Sequence, residues 1–402
     1  MASLSERSEQ KRIEKRKKRK QKMRKTLFTL SVVGIVGFGL FYVFFQMNRT
    51  YGGYEVVNST KRKDSSSAKY MTYNGKILKY SKDGISAMKP DGQILWNGSY
   101  DFKNPIAVCC GDYVAVADIG GKEIYVFNGS DTGTKLSVQS PVEQISVAKQ
   151  GVVAAVLEED NEARINVYDP YSADTKEQLK VSILTSTDSD GYPVAIALSP
   201  DGLKLVTSYV NISNGVIKSS VNFYNFDKVG QNSVDRIVGS RPMDREVVAN
   251  IEFLNDEVVC AYTATGVRMY QMRETPQDIA TITEEREIKS VCHSDKYLAL
   301  VLENGKELKS DYTLQVYNTS GKKVLEKEID YNYEKMEMGE EEVVFYSGQE
   351  CNIVRLRGSK KLDCTFQNDI SYFFAIKGSD YYVLIDGDNM SQVRLTGRKK
   401  GE

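Results

Sequence analysis

The sequence predicts an all-β chain, a β-propeller of about eight blades with seven as the alternative count, preceded by one transmembrane helix. Three observations carry this reading. Residues 26–47 are an uncharged apolar run behind a strongly basic segment. A two-strand pattern then recurs eight times between about residues 70 and 395. The chain also has 25 Tyr, 14 Phe and 30 Gly, a composition that suits strands and tight turns better than helices.

The first 25 residues hold twelve Lys/Arg and three Glu, a net of +9, so the remaining chain, with 42 basic and 51 acidic residues, carries −9. Such asymmetry marks a basic tail beside a membrane or a polyanion. A run this charged is not expected to fold alone. The next segment, TLFTLSVVGIVGFGLFYVFFQM, holds 22 residues. At about 1.5 Å per residue a helix of that length reaches roughly 33 Å, enough for a hydrocarbon core of about 30 Å. A cleaved signal peptide is disfavoured, because the apolar run exceeds a usual signal core and no small-x-small site follows. With the positive charge on the N-terminal flank, the tail is expected in the cytoplasm and the rest outside the cell membrane. The tail's expected role is topology and contact with lipid headgroups; nucleic acid is not an expected partner.

Residues 48–69 read as a polar stalk with one strand at Tyr54–Asn58. The body spans 70–396, and 397–402 form a short basic tail. Within the body the repeating strands are ISAMK (85–89), EIYVF (123–127), INVYD (165–169), VNFYN (221–225), VRMYQ (267–271), LQVYN (314–318), NIVRL (352–356) and SQVRL (391–395). Nearly every copy follows another apolar strand, such as YVAVAD (113–118) or VVAAVLE (152–158). Asp-Gly and Asn-Gly dipeptides punctuate the units, and no stretch of the body sustains a helical period. Short strands in units of about 40 residues are the pattern of four-stranded propeller blades. The last unit ends at Leu395 without room for a fourth strand, so Tyr54–Asn58 is expected to supply it and close the ring.

Two stretches bear family likenesses. Ser199-Pro200-Asp201-Gly202 resembles the turn of WD40-like propellers, and residues 84–96 resemble one repeat of the PQQ-like propellers. The GH…WD signature of WD40 repeats is absent, since His293 and Trp96 are the sole residues of their types. One Trp also cannot provide a recurrent quinone-docking pattern, so no cofactor is expected. The layout of basic tail, single span and degenerate propeller is similar to an uncharacterised family of bacterial single-pass membrane-anchored propeller proteins. That resemblance implies a Gram-positive bacterial setting and no assigned activity.

The chemistry-bearing residues are sparse. One His makes any Ser-His-Asp arrangement depend on His293, which sits in VCHSDKY and reads as a solvated turn residue. No G-x-S-x-G, HExxH or CxxC motif is present. Asp188-Ser189-Asp190-Gly191 and Asp386-Gly387-Asp388-Asn389 alternate oxygen ligands but lack the later Glu of a calcium loop, and read as turns. Cys351 and Cys364 flank a hairpin turn and are either a cross-strand disulfide or two buried thiols. No catalytic, cofactor-binding or metal-binding set emerges, and an enzyme is not expected. The expected function is a membrane-anchored scaffold for a protein or envelope-polymer partner, with membrane lipid met through 26–47 and the basic tail. The alternative is an enzyme or small-ligand sensor using carboxylates at the channel mouth, for which loops 158–164 and 184–193 are acidic enough.

Overall fold

A computed structural model describes residues 4–63, 67–213, 215–243, 246–305, 309–376 and 381–397. The chain divides after Thr50 into two compact units. The first is a single helix, α1 (Leu4–Met47), whose Lys22–Tyr42 portion is long and apolar enough to cross a membrane. The helix does not stop at the basic run, as the charge alone suggested. Lys, Arg, Glu and Gln are good helix formers, and an adjoining apolar helix spares them the cost of nucleation.

The second unit is all β. Among the described residues it contains eight four-stranded antiparallel sheets, so the blade count is eight. Blades 1 to 7 cover 69–99, 105–137, 142–186, 192–243, 250–283, 288–329 and 335–365. Each is built from four consecutive strands, the first innermost and the fourth outermost. Every one of the eight repeated segments is the third strand of its blade, and the apolar segment before it is the second. Second strands are buried on both faces: Val114, Ala115, Val116 and Ala117 are all at 0% exposure, as are Leu298 through Leu302. A strand flanked by two neighbouring blades needs no polar face, which explains its continuous apolar run. Outer strands alternate instead, as Lys323–Ile329 does.

Buried side chains form one cluster at each blade interface. Examples are Val116 and Phe127 against Trp96 between blades 1 and 2, and Val206 and Phe223 against Val259 and Tyr270 between blades 4 and 5. Turn chemistry sets the joints. In the Ser199-Pro200-Asp201-Gly202 turn, Gly202 has φ 71°, a conformation that glycine adopts without strain. Asp201 accepts hydrogen bonds from the Ser199 hydroxyl at 2.5 Å and the Leu203 N–H at 3.0 Å.

Blade 8 is made from both ends of the chain. Its inner three strands are Tyr372–Ala375, Tyr381–Ile385 and Asn389–Thr396, and its outermost strand is Gly53–Lys61. This closing strand runs antiparallel to Asn389–Thr396, from Gly53 opposite Thr396 to Lys61 opposite Asn389. The 48–69 segment is therefore mostly part of the ring rather than a stalk. It reads as polar because its strand lies on the rim: within Gly53–Lys61 only Gly53 and Tyr54 are buried, and Glu55 through Lys61 are exposed. Tyr54 anchors it, stacked on Phe366 at 4.2 Å between centroids, with its hydroxyl accepting from the Gln367 N–H at 3.3 Å. The Ser59 and Ser391 hydroxyls meet at 2.9 Å, and Arg62 donates to the Asp386 carbonyl at 2.5 Å. Residues 398–402 of the C-terminal basic tail lie outside the described residues.

Removing a buried aromatic anchor costs about 3 kcal/mol. Tyr54→Ala should lower the stability of the ring by about that much in urea titrations, and deletion of 51–60 should lower the thermal midpoint by many degrees. An unchanged midpoint for the deletion would mean that the closing strand contributes nothing.

Candidate functional site

The innermost strands of the eight blades face the central channel. Because the blades are antiparallel, the first turns of all blades and the third turns of blades 1 to 7 lie at one end of the ring, and the second turns and inter-blade connections lie at the other. At the first-turn end lies a cavity of about 610 Å³. It is walled by the first turns of blades 1, 6 and 7 and by Ala375 and Ile376 of blade 8, and is lined by Lys76, Lys296 and Lys361 and by Asp295, Glu337 and Glu340 through Glu342.

The acidic groups here are shared among separate partners. Glu342 is buried, paired with Lys361 at 2.7 Å, and accepts the Tyr382 hydroxyl at 2.6 Å. Glu341 lies 3.6 Å from Arg357. Glu337, on the innermost strand Lys335–Met338, accepts the Tyr346 hydroxyl at 3.0 Å. Burial pushes the Glu337 carboxyl up to about 7, against the lowering pull of Tyr346 and Lys335.

His293 is not the solvated turn residue that its sequence neighbours suggested. It ends the innermost strand Ile288–His293 of blade 6, half-buried, with Nε2 2.5 Å from Oε2 of Glu252 on blade 5. An irregularity in the strand register between Ile288 and Ser290 shifts which residues face which neighbour. Sequence spacing alone could not show that shift, or the carboxylate waiting across the blade boundary. Glu252 also accepts from the Asn250 side-chain amide at 3.1 Å and the Tyr262 hydroxyl at 3.4 Å. Burial pulls the imidazole pKa down, but the Glu252 bond outweighs it and the net is up. Burial likewise pushes Glu252 up, and His293 with the other donors brings the net down. One imidazole nitrogen, Nε2, is thus committed to a carboxylate.

The two acidic turns are internally occupied. Asp190 accepts the Ser186 N–H at 2.9 Å and the Ser189 hydroxyl at 3.1 Å. Asp386 accepts the N–H groups of Asp388 and Asn389 and the Asn368 amide. Among the described residues no three His, Cys, Asp or Glu side chains are grouped to hold a metal ion. Loops 158–164 and 184–193 hold the second turn of blade 3 and its connection to blade 4, so they lie at the end of the ring opposite the 610 Å³ cavity. Within them, Glu159 pairs with Arg164 at 2.8 Å.

The chain matches the family of unknown function DUF5711 over residues 47–395. It belongs to that family. The match takes in the whole DUF5711 ring, closing strand included. Solved structures agree on the fold. BamB from Moraxella catarrhalis aligns with a TM-score of 0.52 at 10% identity, covering 86% of this chain and 99% of that one. Saccharomyces cerevisiae Sqt1 aligns at 0.54 and 11% identity, over 87% and 100%. A eukaryotic initiation factor aligns at 0.51 and 12% identity, over 87% and 89%. At such identities the likeness is one of fold. A comparison with curated proteins gives no match.

Two pH effects follow. The Glu337 proton is held more tightly folded than unfolded, so its contribution to stability is largest below the ordinary carboxylate range and falls as pH rises to about 7. Glu337→Gln should flatten that decline, raising stability relative to wild type by on the order of 2 kcal/mol at pH 8 but not at pH 4. The Glu252–His293 pair contributes most between the ordinary carboxylate and imidazole pKa values. Glu252 loses its share as pH falls through its lowered pKa, and His293 loses its share as pH rises through its raised one. His293→Gln should remove the upper limb, read by chemical denaturation between pH 5 and 9.

Proposed function

We propose that this DUF5711 chain is a membrane-anchored binding scaffold, with α1 spanning the cell membrane, its basic end in the cytoplasm, and the propeller presenting its surface to a protein or envelope-polymer partner outside. The charge difference across the apolar helix supports the orientation. The observation that carries the binding role is a hairpin in blade 4. Strands Lys204–Ser213 and Val216–Asn225 pair over ten residues, down to Ser213 opposite Val216. Their flanking strands stop earlier, at Tyr192 opposite Val210 and Met243 opposite Ser219. The ribbon past these points projects as two strands alone. Ile212 lies directly opposite Ile217, and the two are 71% and 51% exposed, with Val216 at 55%. A two-stranded ribbon carrying an exposed apolar pair is poorly stabilised by itself and suits a partner surface. The cavity at the first-turn end favours the second reading, a small-ligand sensor or enzyme using channel-mouth carboxylates.

Crosslinking and affinity purification of the full-length chain from its native membrane tests the first reading. A partner should be recovered above an anchor-only control, and Ile212→Asp with Ile217→Asp should lose it without changing the melting curve. Recovery that ignores the hairpin substitutions would move the interface elsewhere. For sidedness, an impermeant thiol reagent on intact cells should label Ser67→Cys above the parent background and spare Ser5→Cys. The reverse pattern would invert the topology.

A further inference from the structure

Cys351 and Cys364 sit on adjacent antiparallel strands of blade 7, Glu350–Arg355 and Lys360–Thr365, directly opposite one another. The Phe366 N–H donates to the Gln349 carbonyl at 2.7 Å, two positions further along the same register. Alternation then makes Cys351 and Cys364 a hydrogen-bonded pair, for which the Cα separation is about 5.5 Å. That falls at the commonest separation of disulfide-linked residues, about 5.5–6 Å. Opposed residues project from the same face of the sheet. Both side chains join one cluster with Tyr54, Leu362, Phe366 and Phe373, Cys351 fully buried and Cys364 half-buried.

No other two of the six cysteines are so placed. Cys109 and Cys110 are consecutive and pack into different interfaces. Cys260 packs between blades 5 and 6, and Cys292 between blades 6 and 7. The Cys351–Cys364 hairpin also lies at the ring's seam. Tyr51 forms a parallel bridge with Leu362, its N–H donating to the Lys361 carbonyl at 2.8 Å, and Tyr54 stacks on Phe366 just past the hairpin.

We propose that Cys351 and Cys364, both thiols in this structure, are an oxidation site that closes to a disulfide and staples the hairpin on which the start of the closing strand docks. The oxidant is an external disulfide, either a small disulfide or an oxidised dithiol protein. Cys364, the more accessible of the two, loses its proton and attacks one sulfur of that disulfide. A mixed disulfide forms and one external thiolate leaves. Cys351 then gives up its proton and attacks the Cys364 sulfur, and the second external thiolate leaves. The pair loses two electrons and two protons, and one external disulfide becomes two thiols. Burial holds the Cys351 thiol pKa well up, which leaves the first attack to Cys364.

Closure in the living cell rests on the extracytoplasmic placement proposed above; the capacity to close does not. The full-length protein, fully reduced and then exposed to oxidised glutathione in its folded state, should lose two of six thiols on denaturing alkylation and mass analysis. Proteolysis should yield a Cys351–Cys364 linked peptide. Cys351→Ser and Cys364→Ser should each abolish that peptide. Six thiols retained by the folded wild type, or glutathione adducts without the linked peptide, would overturn the proposal. Protein quenched with acid directly from its membrane should carry four thiols, rising to six on reduction. If the link forms in vitro while the membrane-derived protein carries six thiols and Ser67→Cys is shielded from impermeant reagent, the placement fails and the site stands.

Discussion

Everything in the ring depends on one strand pairing: Gly53–Lys61 against Asn389–Thr396. The second strands of the blades are buried on both faces and mostly apolar, so each sheet is stable only between two neighbours. In an open ring, the blade 8 faces carrying Phe373, Tyr382, Val383 and Val393 would lose that protection. The closing strand stops this by joining the two ends of the body inside a single sheet. Its grip is concentrated at its beginning, where Tyr51 and Tyr54 reach into blade 7, while its remaining length lies on the rim. Seam and edge are thus the same element, which is why the opposed cysteines of the adjoining hairpin matter for the whole ring.

The channel follows a second constraint. Polar groups on the first and second strands are taken out of water wherever neighbouring blades converge, and each must find a partner. Glu252 finds His293 across the boundary of blades 5 and 6, while Glu342 finds Tyr382 of blade 8. The partners belong to different blades, so these bonds also hold the blades in register. Glu337 is hydrogen-bonded to a hydroxyl, and burial outweighs both that bond and the pull of Lys335 in deciding its proton. What reaches solvent at that end is a mixed-charge cavity rather than an isolated carboxylate pair.

The legible parts of the sequence were those where burial acts on consecutive residues. YVAVAD and VVAAVLE announce strands enclosed on both faces, and each repeated segment such as INVYD falls on a third strand. The apolar run behind the basic segment is equally plain, because it forms one helix long and apolar enough to cross a membrane. The closing strand was half legible. The count of strands in the last unit asked for it and pointed to Tyr54–Asn58, yet the exposed polar residues that follow disguised the rest of Gly53–Lys61 as a stalk. His293 was not legible at all, since its meaning lies in a glutamate 41 positions earlier in the sequence and one blade away.

The sequence by itself determined the class of fold, the apolar helix and the order of strands, because those follow from periodicity and turn chemistry within each short segment. Only the tertiary structure decided the blade count of eight, the seam, the inter-blade pairs of the channel, the opposition of Cys351 to Cys364 and the projection of the blade 4 hairpin. Each of these is a relation between segments. Register, shared faces and unequal strand lengths arise only when the sheets are assembled side by side, and no local pattern of residues encodes which groups will then meet.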